Sequence, residues 1–170
     1  MNIPDVTIRS AEAADSAGIA RVHVDSWRET YAGLVPDRFF GADALAARER
    51  MWASILSRDP LPGTVVVADR AGQIVGFAFA GSADHPDATK GLEPARNLHL
   101  FSIYLIANDH GAGLGRQLLH AAIGDRPAQL LVAQSNERAR EFYARQGFAT
   151  DGVEISDPDI DGLVQIRMVR

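Results

Sequence analysis

Seven residues, His110-Gly111-Ala112-Gly113-Leu114-Gly115-Arg116, set three glycines between an apolar run and a stretch of helical periodicity. Glycine lets a chain turn tightly and present its amides, and the first turn of a helix carries N–H groups with no partner inside the helix. Those donors and the positive end of the helix dipole suit a phosphate. Spacing decides which phosphate ligand. A dinucleotide fingerprint requires G-x-G-x-x-G, but the residue three after Gly113 is Arg116, and the ribose-binding acid expected about 20 residues on is replaced by Leu131 and Val132. A P-loop requires Lys and then Ser or Thr after its last glycine, where Arg116 and Gln117 stand. A nicotinamide-dependent oxidoreductase and a P-loop nucleotide enzyme are both disfavoured.

Other reactive side chains are few. The chain has no cysteine, which excludes a thiol nucleophile, a disulfide scaffold and a cysteine-ligated metal. His23, His85, His99, His110 and His120 show no metal-ligand spacing, so no metal is expected. His99 lies in a strand-like run and could accept a proton near neutral pH. A phenol such as Tyr143, with an ordinary pKa near ~10, is a proton donor at pH 7. Asn136 stands where a helix cap is wanted.

Changes of period give the elements that must carry these groups. Val6–Arg9 alternates as a short strand, and Asp15 or Ser16 is placed to cap a helix in which Ile19, Val22, Ser26 and Trp27 recur. A second helix is expected over about 43–56, ended by Pro60, Pro62 and Gly63. The β-rich runs 64–68 and 74–80 form a hairpin, residues 81–97 read as a loop, and Leu98–Leu105 is a strand leading into the glycine turn. After it come a helix with Leu118, Leu119, Ala122 and Ile123 on one side, the strand Gln129–Ala133, and a helix over 137–146 stopped by Gly147. Two closing strands follow. The order β-αα-βββ-α-β-α-ββ is that of an α/β (α+β) domain around a mixed sheet, with residues 1–170 as one domain.

Composition narrows the setting. Seventeen basic and 22 acidic side chains leave a net charge of −5, a poor balance for nucleic acid, whose affinity comes mostly from neutralised phosphates. No apolar run approaches the ~20 residues of a membrane span, and Met1–Ser10 lacks the pattern of a signal peptide. A cytoplasmic protein is expected, without nucleic-acid or membrane partners.

The residues from His110 to Gly115 resemble the [Arg/Gln]-x-x-Gly-x-[Gly/Ala] loop of the GNAT superfamily of N-acetyltransferases, with Gly113 and Gly115 at the two small positions and His110 in place of Arg or Gln. The resemblance covers nearly the whole chain. It includes Ile8-Arg9, Trp27-Arg28-Glu29-Thr30-Tyr31, Ile103-Tyr104-Leu105, and most specifically Asn136-Glu137-Arg138-Ala139-Arg140-Glu141-Phe142-Tyr143-Ala144-Arg145-Gln146-Gly147-Phe148.

That resemblance implies a mixed, mostly antiparallel central sheet flanked by helices, with a splayed strand pair that binds acetyl-CoA. Ile103, Tyr104 and Leu105 would meet pantetheine through the main chain, like an added strand. His110, Gly111, Ala112, Gly113, Leu114, Gly115 and Arg116 would hold the pyrophosphate, and Asn136, Ala139 and Tyr143 would complete the cofactor-binding set. Arg138, Arg140 and Arg145 are further candidates for local positive charge. Tyr143 matches the position that protonates the leaving sulfur. His99 takes the place of a glutamate that serves relatives as base, with a water relay as its equal alternative. Trp27, Glu29 and Tyr31 would line the acceptor side, flanked by residues 83–95 with Asp84 and Asp87. The implied reaction is acetyl transfer to a primary amine, of a small molecule or a peptide, by a monomer or homodimer. A non-catalytic acyl-CoA-binding sensor or interaction module is the alternative, and the intact Tyr143 argues against it.

Overall fold

In a computed structural model, residues 5–158, 160 and 162–170 are described. Residues 1–4, the start of the segment expected not to be a signal peptide, lie outside them. The elements are β1 (Val6–Ser10), α1 (Ser16–Tyr31), α2 (Ala42–Leu56), β2 (Gly63–Arg70), β3 (Gln73–Ser82), α3 (Pro86–Thr89), β4 (Leu98–Leu105), α4 (Leu114–Ile123), β5 (Gln129–Ala133), α5 (Glu137–Arg145), β6 (Ala149–Ser156) and β7 (Val164–Val169). The described residues gather into two compact units, one within 5–79 and 102–124, the other within 80–101 and 125–170. The fold is the expected mixed, mostly antiparallel α/β type.

In the first unit the strands run in the order β1-β2-β3-β4, with β1 antiparallel to β2. Helices α1 and α2 carry apolar side chains at helical spacing, and these join the sheet's alternating residues in one core. Ile19, Ala20, Val22, Val67 and Phe77 are its most buried members, with Trp52 nearly so. Each such side chain removed from water stabilises the fold by roughly 1.5–3 kcal/mol. Asp15 sits at the start of α1 yet makes no side-chain cap bond to it. Its carboxylate accepts instead from Arg9 at 2.8 and 2.9 Å and from the Glu12 amide at 2.7 Å. The Arg9 guanidinium holds the Asp15 carboxyl below its ordinary range.

In the second unit the order is β4-β5-β7-β6. The parallel ladder of β4 with β5 consists of His99↔Gln129 and Leu100↔Leu130, and β5 then pairs antiparallel with β7 through Gln129↔Val169 to Ala133↔Gln165. A register shift in β6 between Thr150 and Glu154 accommodates Gly152 at φ 88°, while Asp151 binds Arg167 across the strands.

The expected loop 81–97 is in part regular. β3 continues to Ser82, and Pro86 starts the single turn α3, where the His85 ring accepts from the Asp87 amide. Proline at the first helical position loses no hydrogen bond. So short a turn carries too few residues to display a period.

Gly76 in β3 lies where an added Cβ would stand 2.7 Å from Leu105 Cδ1 and 3.0 Å from the Tyr104 carbonyl oxygen. Gly76→Ala is therefore expected to destabilise the protein by about 1–3 kcal/mol, read from urea denaturation. An unchanged midpoint would show that β4 does not need this close approach.

Candidate functional site

The glycine turn begins where β4 ends. Burial along β4 falls from His99 and Leu100, both 3% exposed, to the half-buried Phe101–Leu105. Past it the Ile106 amide donates to the Val75 carbonyl at 3.0 Å, and Ala107–Asp109 form one 3-10 turn. Asp109 is buried and paired with Arg70 from the end of β2, which neutralises the one acid in that turn. His110 Nε2 donates to the Leu105 carbonyl at 2.7 Å. That bond ties the start of the turn to the end of the strand and gives His110 a definite structural role.

Gly111 and Gly113 then adopt φ of 84° and 79°, conformations that cost an L-residue roughly 1–2 kcal/mol. Gly113 is the N-cap of α4. Leu114 is buried, with Leu118, Leu119, Ala122 and Ile123 behind it, so the helix is anchored by its apolar side while Gly111, Ala112, Gly113 and Arg116 face solvent. Its first turn contains no acidic residue. An α-helix leaves its first amides without internal acceptors, so the turn presents positive partial charge at an exposed end. The donor set fits a pyrophosphate.

In the second unit Asn136 caps α5: its Oδ1 accepts from the Ala139 amide at 3.1 Å. Tyr143 is 8% exposed, with its ring edge-on to Phe142 and Phe148. Arg140 donates to the Gln134 carbonyl at 2.9 Å, whereas Arg145 is exposed.

His99 is buried and held by neighbours of the second unit. Gln129 Oε1 accepts from the Ala95 and Arg96 amides, which turns its Nε2 toward His99 Nδ1 at 3.2 Å. The ring is also packed 4.7 Å from Phe101. Burial, with Lys90 and His85 adding positive charge, pushes its pKa down to about 4.

Of the residues expected on the acceptor side, Trp27 and Tyr31 meet with ring centroids 4.9 Å apart, and Glu29 is exposed. Three further side chains join Trp27, none of them singled out by its local sequence for this place. Tyr104 OH accepts from Trp27 Nε1 at 3.0 Å. His23, one helical turn before Trp27, stacks on Tyr104 at 5.1 Å and accepts at Nδ1 from Trp52 Nε1. The Arg48 guanidinium of α2 stands 5.8 Å from the Trp27 ring. Burial, assisted by Arg48, lowers the His23 pKa to about 3, and burial raises that of Tyr104. The spacing of His23 and Trp27, four apart on one helix face, is the signal that could have joined those two.

No group of three or more potential metal-ligating side chains is found among the described residues. Likewise, no described helix is long and apolar enough to cross a membrane.

A family model described as an acetyltransferase (GNAT) domain matches residues 62–150. Among curated proteins, the chain is 33% identical over 114 residues to the uncharacterized N-acetyltransferase YuaI of Bacillus subtilis, an alignment spanning 67% of this chain and 60% of that protein. It is 28% identical over 159 residues to an L-methionine sulfoximine/L-methionine sulfone acetyltransferase of Pseudomonas aeruginosa, covering 86% and 81% of the two chains. Among solved structures, the PaiA N-acetyltransferase of Thermoplasma acidophilum in complex with coenzyme A shares the fold with a TM-score of 0.73 at 18% identity, over 98% of both chains.

The two buried histidines make stability depend on pH. Their folded pKa values lie below the ordinary 6.5, so between that value and about 4 (His99) or about 3 (His23) the unfolded chain takes up protons that the folded one refuses. Their contribution is complete above pH ~6.5 and is lost on acidification, at up to about 1.4 kcal/mol per pH unit for each ring. Urea denaturation at about pH 7 and about pH 5 is expected to show this loss, with a shallower slope in His99→Gln. Equal stability at both pH values would contradict it.

Proposed function

Because the chain belongs to the GNAT acetyltransferase family, we propose that it moves an acetyl group from acetyl-CoA to a primary amine by direct transfer in a ternary complex, with residues 1–170 acting as one domain. The observation that carries this reading is the exposed start of α4, preceded by two left-handed glycines and tied through His110 to the Leu105 carbonyl. The names of the relatives support an amine acceptor.

Acetyl-CoA, when bound, supplies a thioester whose acetyl carbon an amine attacks and whose sulfur leaves with the bonding pair. The N–H groups from Gly111 to Arg116 bind the pyrophosphate, with Arg116 adding a full charge. Ile103 and Leu105 offer main-chain groups to pantetheine, and the Leu105 amide polarises the thioester carbonyl. The half-buried stretch 101–105 and the two-pair ladder of β4 with β5 support that assignment. Asn136 and Ala139 complete the cofactor-binding set.

An alkylammonium has a pKa near ~10.4, so about one molecule in 10³ is the free nucleophile at neutral pH. His99 is a weak candidate to help it: a ring buried at a pKa of about 4, with Nδ1 engaged by Gln129, is a poor proton acceptor. We therefore assign proton removal to water. Tyr143 donates its phenolic proton to the departing sulfur and regains one from solvent, so the transfer yields an amide and a free thiol.

Two variants test the assignment. Tyr143→Phe is expected to keep coenzyme A affinity within about twofold while turnover, measured by thiol release, falls by about 10²-fold or more. His99→Gln is expected to retain the pH profile of kcat/KM. Undiminished turnover by Tyr143→Phe across pH would remove the tyrosine from its role, and loss of the acidic limb in His99→Gln would restore the histidine as base.

A further inference from the structure

Arg48 is a half-buried cation with no carboxylate beside it among the described residues. Its one side-chain hydrogen bond is a long contact of 3.9 Å to the Met51 sulfur, and its guanidinium stands 5.8 Å from the Trp27 ring centroid. Removing a charged group from water without an ionic partner is costly, and proteins ordinarily pair such groups. An arriving anion would offset that expense.

The neighbours are suited to that anion. Tyr104 OH accepts from Trp27 Nε1, which leaves the phenolic proton as a donor. Burial keeps that proton in place, because the Tyr104 pKa is raised. His23 is neutral, with Nδ1 already accepting from Trp52, so it sets no second cation against Arg48. A guanidinium fork and a hydroxyl on an aromatic floor match the two oxygens of a carboxylate. Tyr104 also immediately precedes Leu105, the residue whose amide is assigned to the thioester carbonyl.

We propose that Arg48 and Tyr104 bind a carboxylate carried by the acceptor, so that the substrate class is amines bearing a carboxylate, amino acids above all. The proposal rests on the acetyl-transfer reading for its setting, but the Arg48–Tyr104–Trp27 arrangement stands independently of it. It also explains how a chain of net charge −5 can accept an acidic substrate: the attraction is local.

The test compares each of the twenty L-amino acids with its decarboxylated amine, using two readouts on the full chain. One is thiol release from acetyl-CoA; the other is quenching of tryptophan fluorescence in the presence of coenzyme A. For at least one pair the acid is expected to exceed the amine by about 10²-fold in kcat/KM and to quench at lower concentration. Arg48→Gln should narrow that ratio to within about threefold, mainly through KM, and Arg48→Lys should restore part of it. Coenzyme A affinity, measured separately by calorimetry, is expected to stay unchanged in both variants. Equal responses within every pair, including no response from any compound, would overturn the proposal, as would a preference that survives Arg48→Gln. The two readings fail differently. Acid-selective quenching without thiol release would sink acetyl transfer and keep the carboxylate site, while thiol release with equal rates for acid and amine would do the reverse.

Discussion

The constraint from which the account grows is that a helix cannot satisfy its own first amides. In most helices a side chain or water takes them. At α4 the cap is Gly113, which has no side chain to offer and, like Gly111 before it, is left-handed. The surrounding contacts keep that arrangement in place. Arg70 neutralises and pins Asp109 just ahead of the turn, His110 fastens the turn to the last carbonyl of β4, and Leu114, Leu118 and Leu119 fix the helix from below. Polar donors are thus left outward by design of the loop while everything behind them is tied down.

Electrostatics reinforce this without any help from net charge. The protein is acidic, so a polyanion is drawn to it only by local fields, and these fall off within about a Debye length. The start of α4 supplies partial charges with Arg116 next to them and no acid in the first turn. Elsewhere in the first unit Arg48 supplies a full charge among aromatic rings. The two features differ in kind. One is a set of exposed backbone donors whose orientation is set by the helix; the other is a desolvated side chain whose lack of an ionic partner is itself the signal.

Local patterns carried most of the fold. The switch from period two to period 3.6 located every long element to within a few residues, the glycine spacing located the start of α4, and Asn136 reads as a cap because capping involves only the next three residues. What escaped the sequence is contact across distance. Gln129 reaches His99 from 30 positions away, and nothing near either residue announces that contact. Arg48, Trp27 and Tyr104 come from two helices and a strand, and their meeting depends on how α1, α2 and β4 pack. Asp15 illustrates a third limit, for a residue well placed as a cap was claimed by Arg9 instead. Side-chain competition of this sort is decided by tertiary geometry, which propensity does not encode.

The most direct test is an amide ¹H–¹⁵N titration with coenzyme A. Phosphate accepted by the start of α4 predicts that the N–H resonances of Leu114, Gly115 and Arg116 move farthest and downfield, and that pantetheine, which has no phosphate, leaves them in place. Saturation with coenzyme A that shifts other resonances while these three stay still would contradict the account.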